Sequence, residues 1–292
     1  MRLYTFELNQ QRKIGAEWNG QLIDLAAAYQ AASINPPPQG NRLRAIPPDL
    51  ITFIRIGPPA IEAATLALAH AKRRRAVPVG EEIIFPLEAV RLRAPIMRPG
   101  KIICATDLAA EVPRCINKLA SALVGPTEAI IRPAIVGHLD SAPHIAAVIG
   151  RRIKSVAESD VSSAIFGYTI LNSVSARDNR FADNPTLAPN FDTFCPLGPC
   201  VVTSDEFQTT PEGELHVHLN GALITSTAMA ASVASLYKVV RALSEFMTLE
   251  SGDIIAAPCI ADGSDLSLKV GDMVAYEIDG IGRLENPVMA ES

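Results

Sequence analysis

The chain has 292 residues, enough for about two domains at ~150 residues each. Hydrophobic residues make up 48% and charged residues 20%, which excludes general disorder. The 26 basic and 31 acidic residues give a net charge of −5 and exclude a general nucleic-acid binder, whose phosphate contacts need clustered excess Lys and Arg. The one basic run, 72–75, ends an Ala-rich helical stretch, where cations suit the helix dipole. No stretch reaches the ~18 consecutive apolar residues of a membrane span, and residues 1–6 lack the pattern of a secretory signal. No membrane partner is therefore expected. The five cysteines are odd in number and form no Cys-x-x-Cys pair, so a reducing cytoplasm is expected rather than a disulfide framework or zinc site.

Residues 2–6, 13–18 and 21–25 alternate like short strands, and Asn19-Gly20 reads as a two-residue hairpin turn. Asp24 is placed to cap a short helix. A proline-rich loop at 34–41 precedes a helix predicted over 59–75. The tract 95–100, with two prolines and a glycine, reads as a domain linker. Beyond it, 101–104 and 145–150 read as strands, and 161–171 as a helix feeding a strand. The alternation at 215–219 ends in the turn pair Asn220-Gly221. Residues 233–247 have helical spacing, and 269–278 read as the last strand. Pro143 argues against a central strand at its position. Many short strands with few helices indicate an α+β chain.

Several blocks then resemble one family. They are Arg98-Pro99-Gly100-Lys101-Ile102-Ile103-Cys104, Ser121-Ala122-Leu123-Val124-Gly125-Pro126, Val174-Ser175-Ala176-Arg177-Asp178, Phe191-Asp192-Thr193-Phe194-Cys195-Pro196 and Gly280-Ile281-Gly282-Arg283-Leu284-Glu285-Asn286-Pro287. They stand in the order of the fumarylacetoacetate hydrolase family over nearly the whole chain. The resemblance implies a mixed β-roll or barrel-like catalytic domain at 95–292, a small N-terminal α/β domain at 1–94, and a homodimer. Members typically hold Mg²⁺ or Mn²⁺ with carboxylates, and the ion stabilises the enolate of a ketoacid or β-diketone.

The chain departs from that pattern at the metal. The two glutamate positions are Ala142 and His144, and the aspartate position is Ser173. The histidine position is Leu108, a lysine position is Pro189, and the Thr-Gly-Thr-Pro loop is shortened to Ala256-Ala257-Pro258. No metal and no other cofactor is expected. A new metal set of His138, Asp140 and His144 is disfavoured by Pro143, although the three even-numbered positions share a face in a regular strand.

His144 is the leading candidate for catalysis, as a base or hydrogen-bond donor at a former ligand position. Lys118 matches a lysine the family keeps and is the second candidate, for an anionic or enolic oxygen. Thr106, Asp107, Ser173, Ser175, Arg177 and Asn190 are the candidate substrate-binding residues. The expected function is a metal-independent, repurposed enzyme acting on an enolisable keto or polyketone compound, in the manner of a biosynthetic step. The alternatives are a non-catalytic partner of an active homologue, and a conventional C–C hydrolase or isomerase.

Overall fold

The computed structural model describes residues 1–33, 43–73, 83–108, 112–181, 184–207, 213–259 and 266–291. Strands β1 (Arg2–Leu8), β2 (Gln11–Trp18) and β3 (Gln21–Asp24) form a meander. Asn19 and Gly20 both take positive φ, 51° and 73°, as a tight primed turn requires. Asp24 Oδ1 accepts from the Ala27 amide at 3.1 Å and caps α1 (Leu25–Ser33). Helix α2 (Leu50–Ile56) is capped by Asp49, and α3 (Pro58–Arg73) buries an alanine stripe of Ala60, Ala63, Ala64, Ala67 and Ala71. The expected loop at 34–41 and the end of the basic run, Arg74-Arg75, lie outside the described residues. Strands β4 (Ile84–Pro86) and β5 (Arg91–Arg93) pair with β3 and β1.

After the linker come β6 (Ile102–Asp107), β7 (Arg114–Asn117), β8 (Leu123–Val124), β9 (Ile130–Arg132) and β10 (Leu139–Ile149). One turn of helix, α4 (Val161–Ala164), feeds β11 (Ile165–Ala176), and β12 (Cys195–Thr203) follows. The hairpin β13 (Glu214–Leu219) and β14 (Ala222–Ala228) leads into α5 (Ala230–Phe246). The chain continues through β15 (Ile254–Pro258), β16 (Leu266–Leu268), β17 (Met273–Ile278) and β18 (Gly282–Ala290). Residues 269–278 are thus not the last strand. The Gly280 and Gly282 turn, read as closing the chain, reverses it into β18, which runs antiparallel to β17.

Among the described residues one large sheet runs in the order β4-β3-β2-β1-β12-β11-β10-β15-β6-β7, with β5, β8 and β16 pairing from the side. A second runs β14-β13-β17-β18-β9. The large sheet crosses the boundary at 94/95 without a break, because β1 pairs with β12 through Leu3↔Val201. One face of β10, with Ala146 and Val148, packs in the same core as α1 and α3. The other, with Ile145, Ala147 and Ile149, packs in the core of α5 and the second sheet.

Pro143 lies inside β10, against expectation, and the reason is local. Its carbonyl accepts from the Cys259 amide at 3.0 Å. The reciprocal bond, from an amide at 143 to the Cys259 carbonyl, is the one a proline cannot make. Ser232 Oγ on α5 donates to that carbonyl instead, at 3.4 Å.

Candidate functional site

Strands β10 and β11 are the longest among the described residues and pair antiparallel over nearly their whole length. Their register puts Ala142 opposite Ser173, Asp140 opposite Ser175 and His144 opposite Leu171. Side chains two apart share a face, so Ala142, His144, Ser173 and Ser175 stand together on one side of the sheet. These include all three positions where the resemblance implies metal-binding carboxylates. On the other flank His144 faces Pro258 of β15, which brings in the shortened Ala256-Ala257-Pro258 segment.

His144 is 4% exposed. Its Nδ1 lies 3.1 Å from the Ala142 carbonyl and its Nε2 3.3 Å from the Ala105 carbonyl. A neutral ring donates to one of these oxygens, and an imidazolium to both. Ser173 is 6% exposed. Neither its hydroxyl nor that of Ser175 has a hydrogen bond among the described residues. Among the described residues these two hydroxyls are open to a ligand on this face.

Lys118 is buried, and Nζ donates to three backbone carbonyls, those of Val174, Pro189 and Phe194. Burial pulls its pKa down to about 8. An ammonium has three N–H groups, and these carbonyls take all of them. Val174 lies between Ser173 and Ser175, so Lys118 fixes the backbone that carries both hydroxyls. Asn190 has a similar bracing geometry: Oδ1 accepts from the Leu119 amide at 2.7 Å, and Nδ2 donates to the carbonyls of Asn117 and Thr186. Thr106 Oγ1 donates to the Arg114 carbonyl at 3.2 Å across the β6–β7 hairpin, and Asp107 pairs with Arg114 at 3.9 Å. Arg177 Nε meets Asp140 Oδ2 at 3.2 Å at the rim. The structure therefore gathers His144, Ser173, Ser175 and Arg177, while Lys118, Asn190 and Thr106 hold the strands and loops around them.

A buried set was missed from the sequence. Ser141 Oγ donates to Asn172 Oδ1 at 2.7 Å and shares a short hydrogen bond of 2.5 Å with Tyr276 Oη. These groups lie behind the site and tie β10, β11 and β17 together. The asparagine of Asn172-Ser173-Val174-Ser175 was the available signal, since a buried carboxamide needs partners.

Mg²⁺ or Mn²⁺ takes several oxygen ligands, carboxylates foremost. Positions 142, 144 and 173 offer a methyl group, a ring engaged with two carbonyls, and a neutral hydroxyl. These three residues do not fit such an ion. Asp140, a carboxylate on this face, is paired with Arg177. No cluster of three or more His, Cys, Asp or Glu suited to a metal occurs among the described residues. The thiols nearby are inert: burial pushes Cys195 and Cys259 up to about 12, and raises Cys104 strongly.

Comparison with known proteins agrees with this architecture. The chain is 30% identical to the mitochondrial oxaloacetate tautomerase of Xenopus laevis, over 99% of this chain and 90% of that one. Maleylpyruvate hydrolase from Sphingobium sp. SYK-6 superposes over the full length of both chains with a TM-score of 0.76 at 26% identity. A crystal structure of that hydrolase holds manganese(II) and pyruvate. A 2-hydroxyhepta-2,4-diene-1,7-dioate isomerase from Mycobacterium marinum gives a TM-score of 0.72 at 26% identity, over 100% of this chain and 99% of that one. Residues 101–289 match the fumarylacetoacetate (FAA) hydrolase C-terminal domain, and the chain belongs to the fumarylacetoacetate hydrolase family.

Proposed function

We propose that this protein catalyses proton transfer on an enolisable oxo acid or diketone without a resident divalent metal. One observation carries the reading: Ser173, at a family metal position and diagonal to the buried His144 imidazole, and Ser175, one pair further along the same face, have hydroxyls without a hydrogen bond among the described residues. The hydroxyls hold the substrate's carbonyl oxygen. Loosening of the longer contact, to the Ala105 carbonyl, frees a ring nitrogen of His144. That nitrogen takes a proton from the α-carbon, the C–H electron pair moves into the carbon–carbon bond, and the oxygen gains the charge. The two O–H groups meet that charge in a site shielded from water. Return of the proton to oxygen gives the enol. Lys118 serves as a positioning residue, and its charge lies behind the Ser173–Ser175 backbone.

Oxaloacetate in EDTA tests this, with exchange of its α-protons in D₂O followed by NMR. Exchange above the buffer rate is expected, and His144→Ala should lower it by about 10²–10⁴-fold per folded molecule. Exchange that appears only on adding Mg²⁺ or Mn²⁺ would overturn the metal-independent reading. Elemental analysis supplies a second expected outcome: less than one Mg or Mn per ten chains after purification, and an EDTA-insensitive melting temperature. One tightly held ion per chain would contradict the donor set described above.

A second reading, a non-catalytic partner of an active homologue, is favoured by the fact that both ring nitrogens of His144 and all three protons of Lys118 already face backbone oxygens. It forecasts no exchange from oxaloacetate or from a 2,4-dioxo acid, and an effect of His144→Ala on stability alone, of about 1–3 kcal/mol. The homodimer expectation finds support in β14. It ends the second sheet, is exposed along most of its length, carries no charge, and presents Leu223 and Ile224. The five free thiols support a reducing, cytoplasmic setting.

A further inference from the structure

A cavity of about 160 Å³ lies where α2 meets the meander and the linker, and its lining does not include His144, Ser173 or Ser175. Its walls are Pro48, Leu50, Ile51, Pro95, Ile96 and Met97, and Thr5, Arg12, Asp49 and Arg98 complete the lining. Leu50 and Ile96 are each 1% exposed, so the floor is dry and fixed. A cavity near 150 Å³ with apolar walls accommodates one benzene-sized ring.

The polar groups around this cavity are unevenly matched. Thr5 Oγ1 already donates to the Pro95 carbonyl at 2.9 Å. Asp49 Oδ1 accepts from the Thr52 amide at 2.8 Å as the cap of α2. Glu7 stands opposite Arg12 in the β1–β2 register, but its carboxylate takes the guanidinium of Arg93, with Nε at 2.9 Å. Arg12 acts on Glu7 through its charge alone, and neither Arg12 nor Arg98 has a hydrogen bond or a close ion pair among the described residues. Two guanidiniums in a chain of net charge −5 thus face an apolar cavity with their forks open.

We infer that this cavity is a second binding site, separate from the His144 face, for a small carboxylate with a compact apolar body such as a single ring. The ring fills the space between Ile51, Ile96 and Met97. The carboxylate lies at the rim, where Arg12 and Arg98 engage it by forked, charge-assisted hydrogen bonds. The apolar walls reject a bare inorganic anion, and the guanidiniums reject the neutral analogue. Arginine stays charged throughout the working pH range, so affinity follows the ligand's own ionisation.

The walls also connect the cavity to the first site. Met97 and Arg98 lead through the linker into β6, whose Ala105 carbonyl faces His144. Ile51 packs on Gly252, just before β15, whose Pro258 lies opposite His144.

The test uses the full chain and 4-fluorobenzoate, followed by ¹⁹F NMR titration, with 4-fluorobenzamide and inorganic phosphate as comparison probes. Saturable binding of 4-fluorobenzoate is expected below about 10 mM, with binding of the amide and of phosphate weaker by about tenfold or more. Arg12→Ala and Arg98→Ala should each weaken it by about tenfold, and neither exposed residue carries the fold. Ile96→Trp fills the cavity and should abolish binding. Ser173→Ala should leave binding of this probe unchanged, which separates the cavity from the His144 face. Failure to saturate, equal binding of the amide, or affinity unmoved in the Arg12→Ala/Arg98→Ala double variant would each overturn the inference.

Discussion

Between pH 9 and pH 10.5 the protein is expected to lose a large part of its stability. The cause is four buried thiols. Cys195, Cys200 and Cys259 are pushed up to about 12 from an ordinary 9.0, and Cys104 is raised as well, in each case by burial. A thiol whose folded pKa exceeds its unfolded one contributes stability that is intact below the unfolded value. That stability drains as pH climbs toward the folded value, because the unfolded chain releases its protons first. Each thiol forfeits about 1 kcal/mol or a little more by pH 10, and the four together about 5. Lys118 works the other way: its pKa is pulled from 10.5 down to about 8, so it returns about 2–3 kcal/mol over the same span. Tyr4 and Tyr168, raised by burial, add to the loss above pH 10. The net loss is about 3 kcal/mol at pH 10 and about 7 at pH 10.5, against a typical stability of about 5–15. Urea unfolding at pH 7.5, 9 and 10.5 measures it, and Cys259→Ala should flatten the slope by about a quarter. A midpoint unchanged up to pH 10.5 would contradict the thiol burial described here.

Lys118→Met should destabilise the fold by about 2–5 kcal/mol at pH 7. Two opposing quantities set that range. Removing a buried ammonium whose pKa has fallen to about 8 relieves about 3 kcal/mol. Against this stand three hydrogen bonds to a charged donor, at about 1.5–3 kcal/mol each. The Phe194 carbonyl keeps a second partner, the Val174 amide at 3.2 Å, whereas the Pro189 carbonyl has Lys118 as its donor. The damage should therefore centre on residues 184–194, and limited proteolysis should cut there first. Urea midpoints within about 0.5 kcal/mol of the parent would remove Lys118 from its bracing role.

The sequence carried the fold well wherever local chemistry decides. Asn19-Gly20, Asp24, the alanine stripe of α3 and the alternation of β13 each specify their geometry within a few residues. Pro143 and β18 were misread because tertiary partners decide them. Ser232, far away on α5, supplies the hydrogen bond that Pro143 lacks, and pairing with β17 recruits a glycine-flanked, proline-containing segment as a strand. At the site, alternation put positions 142 and 144 on one face, the resemblance added 173, and the β10–β11 register brings it to that face. Alternation could not show that Lys118 spends its protons on three carbonyls, since Val174, Pro189 and Phe194 come together only through the β11–β12 connection.

The outer flank of β10 is shared by two strands, β15 at His144↔Pro258 and β16 at Ser141↔Leu266. Between these pairs the Cys259 amide donates to the Pro143 carbonyl, and Ser232 of α5 donates to the Cys259 carbonyl in place of the amide that a proline lacks. A single helix hydroxyl thus completes the hydrogen bonding of the sheet one residue from His144. Substitutions on α5 can therefore reach the candidate site through that one carbonyl, although the helix packs on the opposite face of β10.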